Sequence, residues 1–387
     1  MTDSNKARNL SRRGFLKTLG IVSAGFLARP AAIRASNATG AAKVGVLIPR
    51  SSLYPWLGDS FTSGLRLGIQ PSGAELIIED TGTRPSLAVE KCRRLVREIK
   101  ADLIIALANT AALNDLKPTL RDTRTPLILA TAGAVVEQPR SGTSSVLVAS
   151  LDTWQSHWAL GAWSARNLGT RAMVAASMHE SGYDSHYAFQ MGFESEGGEV
   201  IATRVTDAPF NPGGVHAFLS EVERLQPDVV FANYSGHDAL PFMRAWANGS
   251  ARAALVGSPF FVDENVLLSL GVAALGVRSV FPWAPGLNRP GNADFVTTLR
   301  KGGRTPDAFS MLGFECGQAA ANWAGAGRLA ASSDGPRHPA NPLYLREVTR
   351  RGNEIVAELG KVDESHARIL ALRSGVRTGW TNTYLSV

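Results

Sequence analysis

The sequence of 387 residues has little cysteine, which limits the chemistry it can support. Cys92 and Cys316 are its two cysteines, and their separation fits neither a zinc site nor a C-x-x-C redox motif. Each lies in an apolar pattern of helical period, which favours two buried thiols. One disulfide between them is the alternative if the chain is exported to an oxidising compartment. No metal or other cofactor is therefore expected.

Motifs for nucleophilic, phosphate and dinucleotide chemistry are also missing. The sequence contains no G-x-S-x-G elbow, no G-x-x-x-x-G-K-[ST] loop and no G-x-G-x-x-G opening a strand–helix unit. Its histidines are scattered and form no H-E-x-x-H pattern, so structural or surface roles are favoured over metal binding. No catalytic residue is predicted. The alternative is a cryptic hydrolase that uses His179 with Glu180.

Positive charge is concentrated at the N-terminus. The formal net charge is +7, and residues 1–35 carry seven basic residues against one acidic residue, so the rest of the chain is nearly neutral. That remainder has no basic patch with interleaved aromatic residues, which argues against nucleic acid as a partner. It also has no apolar run approaching the roughly 20 residues of a membrane-spanning helix. With 44% hydrophobic residues, its composition predicts a soluble globular protein.

The basic N-terminus has the order of an export signal. The segment SRRGFLK at residues 11–17 precedes a modestly apolar run at residues 18–27 and the small-residue end AAIRA at residues 31–35. This order predicts a signal peptide over residues 1–35, cleaved after Ala35. The paired arginines resemble the twin-arginine signal, which implies export of the folded chain by the twin-arginine translocase into the bacterial periplasm. A chance basic stretch on a cytoplasmic protein is the alternative.

Short apolar runs alternate with amphipathic stretches from Lys43 onward. A first unit of this kind covers residues 43–150, and a second unit of similar build covers residues 151–282. Continuous apolar strands that alternate with helices predict an α/β fold with parallel sheets, and two units predict two lobes with a cleft between them. A long Ala-rich helix is expected at residues 306–328, and a helix followed by strand-like pieces is expected after Leu343.

The first predicted strand ends in a loop rich in hydroxyl groups and aromatic rings. Ser51, Ser52, Tyr54 and Trp56 lie directly after this strand. Ligands of open α/β sheets bind at the carboxyl ends of the strands, so the loop is predicted to form the first wall of a binding site. An ordinary surface turn with packed aromatic residues is the alternative.

Six segments, taken in order, resemble the periplasmic solute-binding proteins of branched-chain amino acid (Leu/Ile/Val-binding) ABC transporters. The resemblance covers residues 43–328, most of the predicted mature chain. No segment is specific alone, and the order of all six carries the resemblance. The segments are KVGVLIP, ELIIEDTGTRPSLAVEKCRRLV, LIIALANTAALNDLKP, TPLILATAG, SGYDSHYAFQMGFESEGGEV and PDVVFANYSGHDALPFMRAW.

The resemblance implies the type I periplasmic binding fold, with two Rossmann-like lobes, parallel central sheets and a three-segment hinge. The chain would cross between the lobes near Ser150, Trp283 and Ser332. The implied boundaries are residues 43–150 with 283–332 for lobe 1, and residues 151–282 with 333–387 for lobe 2.

The resemblance also implies a function without catalysis. Such a protein closes its hinge on a small solute that bears a carboxylate, and the membrane permease of an ABC importer then receives the solute. A sensor that reports the same ligand to a membrane receptor would have the same fold. The sequence leaves these two partners open.

Matching the loops to this family implies the ligand contacts. Hydroxyl, amide and backbone N–H groups of lobe 1 would hold the carboxylate, because neutral donors orient an anion without a fixed counter-charge. Tyrosines of lobe 2 would close over the ligand, and Phe260 would add an apolar wall. The implied contacts are Ser51, Ser52, Tyr54, Trp56, Asn109, Thr110, Thr131 and Ala132 in lobe 1, and Tyr183, Asp184, Tyr234 and Phe260 in lobe 2.

The loop at residues 257–261 departs from the family pattern. Family members that bind amino acids usually place an acid there to pair with the ligand's ammonium group, whereas this chain has Gly-Ser-Pro-Phe-Phe. A buried ammonium without a counter-charge is costly. Asp184 or Asp263 could replace the missing acid. The expected ligand is therefore either an amino acid or an aromatic or aliphatic carboxylate.

Overall fold

A computed structural model describes residues 41–50, 54–82, 84–108, 112–133, 146–182, 184–206, 213–326 and 342–362. The predicted signal peptide lies outside these residues. Within them, two β-sheets with helices on both faces form two lobes. This is the α/β architecture with parallel sheets that the alternating apolar runs predict. No helix in the described part of the chain is both long and apolar enough to cross a membrane.

Strands and helices alternate through both lobes. Lobe 1 begins with β1 (Lys43–Ile48), α1 (Leu57–Ile69), β2 (Glu75–Asp80), α2 (Pro85–Arg97), β3 (Leu103–Leu107), α3 (Ala112–Thr123), β4 (Leu127–Thr131) and β5 (Val146–Ser150). Lobe 2 follows with α4 (Thr153–Asn167), β6 (Arg171–Ala176), α5 (Ser185–Ser195), β7 (Glu199–Val205), α6 (Gly214–Leu225), β8 (Val229–Asn233), α7 (Ala239–Asn248), β9 (Ala254–Gly257), α8 (Glu264–Leu270) and β10 (Arg278–Phe281). The chain then adds α9 (Asn292–Lys301) and α10 (Ala308–Ala326) to lobe 1, and β11 (Leu343–Thr349) and β12 (Gly352–Gly360) to lobe 2.

The sheet of lobe 1 contains five parallel strands in the order β2-β1-β3-β4-β5. Helices α1, α9 and α10 pack on one face, and α2 and α3 pack on the other. Because both faces are covered, every residue of β3 and β4 is buried. This explains why these strands are continuous apolar runs instead of alternating patterns.

The sheet of lobe 2 contains seven strands in the order β12-β11-β10-β9-β8-β6-β7. Strands β6 to β10 are parallel, whereas β11 and β12 form an antiparallel hairpin at one edge. The helix expected after Leu343 is therefore wrong. The segment contains the helix formers Arg346 and Glu347, but Leu343, Leu345 and Val348 are buried in the sheet, and Gly352 turns the chain with a φ of 106°.

Both cysteines are free, buried thiols, as predicted. Cys92 lies in the cluster between the sheet and α2, and Cys316 lies in the cluster on the opposite face. Burial raises the pKa of Cys92 to about 12 and also raises the pKa of Cys316. Neither thiol is ionised at neutral pH, so both act as small apolar side chains.

Helices α1 and α10 are in direct backbone contact. A Cβ atom at Gly64 of α1 would lie 1.8 Å from the carbonyl oxygen of Ser310, and one at Gly313 of α10 would lie 2.0 Å from that of Phe61. Only glycine permits this approach, because any side chain would force the helices apart. The contact attaches α10 to lobe 1 and thereby fixes the position of the residues that precede it.

Replacing Gly64 by alanine is expected to destabilise the protein by about 1–3 kcal/mol, because the added methyl group overlaps the α10 backbone. Urea unfolding followed by circular dichroism measures this change. Gly325→Ala is the matched control, since Gly325 lies in α10 with open space around its Cβ position. It is expected to leave stability unchanged or to raise it slightly. Wild-type stability in Gly64→Ala would contradict the close helix contact.

His157 makes lobe 2 sensitive to acid. Its imidazole is buried in α4, with its ring centroid 5.5 Å from that of Phe231. Burial first, and then the nearby His186, lower the pKa of His157 from 6.5 to about 3, although a backbone hydrogen bond at Thr153 opposes the shift. Between these values the unfolded chain binds the proton and the folded chain does not, so folding stability falls as pH drops.

We expect the free energy of unfolding to fall by up to about 1.4 kcal/mol per pH unit from this histidine, between about pH 6.5 and about pH 3. The measurement compares urea unfolding of wild type and His157→Leu across this range. In His157→Leu the free energy of unfolding should fall less steeply with decreasing pH, by up to about 1.4 kcal/mol per pH unit, because the variant lacks this titrating group. His216→Leu, at an exposed histidine of α6, should retain the wild-type slope. Equal slopes in wild type and His157→Leu would contradict the assignment.

Candidate functional site

Two aromatic side chains interlock the lobes at the carboxyl ends of the strands. Trp56 lies between β1 and α1 of lobe 1, yet it packs against the apolar clusters of both lobes. Its ring centroid lies 5.7 Å from that of His237, which follows β8 of lobe 2. Phe260 follows β9 of lobe 2 but belongs to the apolar cluster of lobe 1. Each lobe therefore inserts a ring into the other.

Tyr54 and Phe309 complete this contact. The Tyr54 ring meets Phe309 edge-on at 5.4 Å and Phe260 edge-on at 6.4 Å, and the rings of Phe260 and Phe309 stack at 5.3 Å. Tyr54 and Trp56 lie 5.1 Å apart. We call Tyr54, Trp56, Phe260 and Phe309 the aromatic junction. Three of its members were predicted from the sequence, whereas Phe309 was missed because it opens a helix and follows no strand.

Thr131 and Ala132 lie where the chain first passes from lobe 1 to lobe 2. The carbonyl of Thr131 accepts a hydrogen bond from Leu151 N at 3.0 Å, and the carbonyl of Ala132 accepts from Thr153 N and from its hydroxyl at 2.8 Å. We call Leu151 and Asp152 the first crossing. The end of β4 therefore holds this crossing through main-chain groups.

The predicted residues of lobe 2 lie in different environments. The ring of Tyr234 stacks on Phe242 at 4.5 Å, and its hydroxyl hydrogen-bonds that of Thr206 at 2.6 Å, so Tyr234 lies in the core of lobe 2. Asp184 stands at the start of α5, where its carbonyl accepts from Ala188 N. Five predicted contacts lie outside the described residues, namely Ser51, Ser52, Asn109, Thr110 and Tyr183.

A polar group at the cleft edge of lobe 2 was not predicted as part of the binding site, although the hydrolase alternative named His179 and Glu180. Glu180 follows β6 and is buried, and the hydroxyl of Ser235 after β8 donates to its carboxylate at 2.5 Å. His179 Nδ1 lies 3.0 Å from a carboxylate oxygen of Asp238. Strands β6 and β8 are neighbours in the sheet. The rule that drew attention to Ser51 would have found these residues, because they too follow parallel strands.

Three buried carboxyl groups lie beside the aromatic junction, and we call Asp263, Glu264 and Asp307 the carboxyl cluster. Asp307 precedes α10, and its Oδ1 accepts from Ser310 N at 2.7 Å. Its Oδ2 accepts from the Ser60 hydroxyl of lobe 1 at 2.5 Å and from Asn265 Nδ2 of lobe 2 at 2.6 Å. Asp307 is therefore hydrogen-bonded from both lobes.

Burial makes this cluster unfavourable for negative charge. It is the main cause that raises the pKa of all three carboxyl groups, and for Asp263 the nearby Asp307 and Glu264 raise the pKa further. Burial, and then Asp263, Asp307 and Glu264, also raise the pKa of Tyr54. Among the described residues, Asp263 Oδ2 has no hydrogen-bond partner, although Oδ1 accepts from Asn265 N at 3.0 Å.

Arg346 connects this cluster to the second crossing, residues 282–291. The guanidinium of Arg346 is buried and donates to the carbonyl of Trp283 at 3.2 Å and to the hydroxyl of Ser279. It lies 3.8 Å from the carboxylate of Glu264. Asn353 Nδ2 also donates to Glu264, at 3.0 Å. The cation thus offsets part of the buried negative charge and fixes the crossing.

Comparison with known proteins gives consistent matches over most of the chain. The family described as periplasmic binding protein matches residues 41–334. Leu/Ile/Val-binding protein homolog 6 of Brucella melitensis is 25% identical over 286 residues, which are 70% of this chain and 71% of the relative.

Solved structures show the same fold. A solute-binding protein of an ABC transporter from R. palustris, in complex with benzoate, superposes with a TM-score of 0.70 at 24% identity, covering 83% of this chain and 97% of the other. A leucine binding protein from Thermotoga maritima superposes with a TM-score of 0.67 at 16% identity, covering 84% and 99%.

Replacing Arg346 by methionine is expected to destabilise the protein by about 3–5 kcal/mol, because Glu264 keeps a buried charge without its cation. Arg278→Met is the matched control in the same sheet. Arg278 pairs with Glu347 at 2.8 Å but is 36% exposed, so its loss should cost less than about 1 kcal/mol. Urea unfolding compares both variants with wild type. Similar losses in the two variants would contradict the role given to Arg346.

Proposed function

The chain belongs to the periplasmic binding protein family, of the type I fold and the branched-chain amino acid group, and from this premise we propose that it captures a small carboxylate-bearing solute between its lobes. The solute would then pass to the membrane permease of an ABC importer. The family and its fold neighbours are solute-binding proteins and not enzymes. The protein would therefore act by closing its hinge on the solute, without making or breaking a covalent bond.

The interlocking of Trp56 and Phe260 carries this proposal. Because each ring reaches the opposite lobe, a solute that contacts both rings stabilises the closed arrangement over the open one. The hydroxyl and backbone groups at the carboxyl ends of β1, β3 and β4 would orient the carboxylate. These include Ser51, Ser52, Asn109, Thr110, Thr131 and Ala132, while Tyr183 and Asp184 would contribute from lobe 2 and Tyr234 would support them from the core of that lobe.

An aromatic carboxylate is the ligand class that the described residues favour. In the aromatic junction Tyr54, Phe260 and Phe309 are buried against one another, and an aromatic solute inserted between the lobes would make ring contacts of the same kind. The acids at the cleft edge of lobe 2 are already engaged, Glu180 by Ser235 and Asp238 by His179. A ligand ammonium would have to compete for them. Fold neighbours include a benzoate complex and a leucine binding protein, so the fold is compatible with either class, and these side chains support the aromatic one.

An amino acid is the second candidate, and Asp263 favours it. The Oδ2 atom of Asp263 is buried without a hydrogen-bond partner among the described residues. An ammonium group at this atom would satisfy it and would offset the repulsion from Asp307. Asp263 would then replace the acid that is missing from residues 257–261.

We also propose how the protein reaches the periplasm. Residues 1–35 would direct export by the twin-arginine translocase, and the cleaved protein would work in the periplasm, as the family's name implies. The lobe boundaries at residues 43–150 with 283–332, and 151–282 with 333–387, belong to the same proposal.

Thermal unfolding with added ligands tests the ligand class. The purified protein is freed of bound solute by reversible unfolding and is then heated with benzoate, 4-hydroxybenzoate, leucine or isoleucine. A ligand at a hundred times its dissociation constant adds about 2.7 kcal/mol to stability, which is a clear shift in Tm. We expect a shift with the benzoates. A shift with the amino acids alone would select the second candidate.

Trp56→Leu is expected to weaken benzoate binding at least about tenfold, because leucine cannot bridge the lobes as the indole does. Trp163→Leu is the matched control. Trp163 stacks with Arg278, at the first residue of β10 and so at the edge of the sheet far from the cleft. Isothermal calorimetry measures both affinities. Wild-type affinity in Trp56→Leu, or no binding of any of the four compounds, would overturn the proposed site.

A further inference from the structure

The carboxyl cluster combines two features that are rarely compatible. It lies in a place from which water is excluded, with Asp263 and Asp307 no more than 1% exposed. It also contains more negative than positive groups, because among the described residues Arg346 is the cation that interacts with it, through Glu264 and Asp263. If every group were ionised, two negative charges would remain buried without compensation. Such charges are costly, and a carboxyl group avoids the cost by binding a proton.

The groups that surround the cluster come from both lobes. Lobe 1 contributes Asp307 itself and the Ser60 hydroxyl, and Tyr54 lies close enough for its pKa to be raised by all three carboxyl groups. Lobe 2 contributes Asp263 and Glu264. The other polar groups in contact are Asn265 and Ser310 at Asp307, and Asn353 and Arg346 at Glu264.

The contact between the lobes creates this shortage of positive charge. Asn265 Nδ2 of lobe 2 donates to Asp307 of lobe 1 at 2.6 Å and to Asp263 at 3.3 Å, and so holds the two acids near each other. Separating the lobes would move Asp307 away from Asp263 and Glu264 and would admit water. Both changes favour ionised carboxylates. The three carboxyl groups therefore lie close together and away from water only while the lobes are in contact.

We propose that closure of the lobes takes up one proton, which the carboxyl cluster holds, so that closure is coupled to pH. The proton comes from water and bonds to a carboxylate oxygen. Oδ2 of Asp263 is available for it, since no group in the described part of the chain donates a hydrogen bond to this atom. No other bond changes. The inference rests on the proposed function only in that hinge closure is the step to which the proton is linked.

The direction of the pH effect follows from the raised pKa values. Closed protein binds the extra proton at pH values where open protein, with more ordinary carboxyl groups, does not. The ratio of closed to open protein therefore rises as pH falls, by up to about tenfold per pH unit, and levels off near the ordinary carboxyl pKa of about 4. At high pH the ionised cluster favours the open form.

Small-angle X-ray scattering of the ligand-free protein tests the coupling. The radius of gyration is measured from about pH 8 down to about pH 5, which lies above the ordinary carboxyl pKa of about 4. We expect wild type to become more compact as pH falls. Asp263→Asn removes one charge but retains an acceptor for Asn265, so it should stay compact with a weaker dependence on pH. Asp294→Asn, at an exposed acid of α9, should behave as wild type.

A second variant separates the hydrogen bond from the charge. Asn265→Ala removes the lobe 2 donor to Asp307 while all three carboxyl groups remain. It should shift the protein toward the open form at every pH and should keep the pH dependence. Circular dichroism verifies that each variant is folded. A wild-type radius that does not change with pH, or an unchanged pH dependence in Asp263→Asn, would overturn the proposal.

Calorimetry distinguishes this proposal from the proposed function. Benzoate is titrated into the protein in two buffers of different ionisation enthalpy, which reports the protons taken up on binding. Binding without proton uptake would overturn the coupling and leave the proposed function standing. If neither benzoate nor leucine binds, but the radius still depends on pH as expected, the coupling stands and the proposed ligand classes fall.

Discussion

The direct backbone contact between α1 and α10 determines where the lobes meet. By the time the chain forms α10 it has passed through lobe 2, and the glycines at 64 and 313 allow it to pack against the first helix of lobe 1 with no side chain between. Phe309 and Asp307 stand at the start of α10, so this contact positions both beside Tyr54 and Ser60. Lobe 2 uses the same device between α4 and α5, where Gly161 and Gly192 allow the backbones to touch.

The aromatic junction and the carboxyl cluster reinforce each other because they share Tyr54. Its ring packs edge-on against Phe309 and Phe260, and its hydroxyl lies in the field of the three acids. The rings exclude water, and the lower local dielectric strengthens both the hydrogen bonds to Asp307 and the repulsion among the carboxyl groups. A solute that moves Tyr54 or Phe260 therefore changes the charge environment beside it.

Local pattern was sufficient for the strands, the parallel sheets and part of the site. Buried strands such as β3 and β4 are continuous apolar runs, and the rule that ligands bind after parallel strands pointed to Tyr54 and Trp56, whereas Phe260 came from the family resemblance. The β11–β12 hairpin was missed because helix-forming residues within it are overridden by pairing with β10. Asp307 was missed because its position between the lobes is defined by hydrogen bonds from Ser60 and Asn265, which lie 247 and 42 residues away in the sequence. Contacts at such separation leave no local pattern in the sequence.

The two crossings that the structure describes are held by different kinds of interaction. Main-chain hydrogen bonds from Leu151 and Thr153 to the end of β4 hold the first crossing, and such bonds are exchanged with water at small net cost. A buried guanidinium holds the second, since Arg346 donates to Trp283 and faces Glu264. A hinge movement that separates Trp283 from Arg346 would break a hydrogen bond to a buried guanidinium, and hydrogen bonds to charged groups are worth about 1.5–3 kcal/mol. The second crossing is therefore the more resistant of the two, and its resistance depends on the same carboxyl groups that join the lobes.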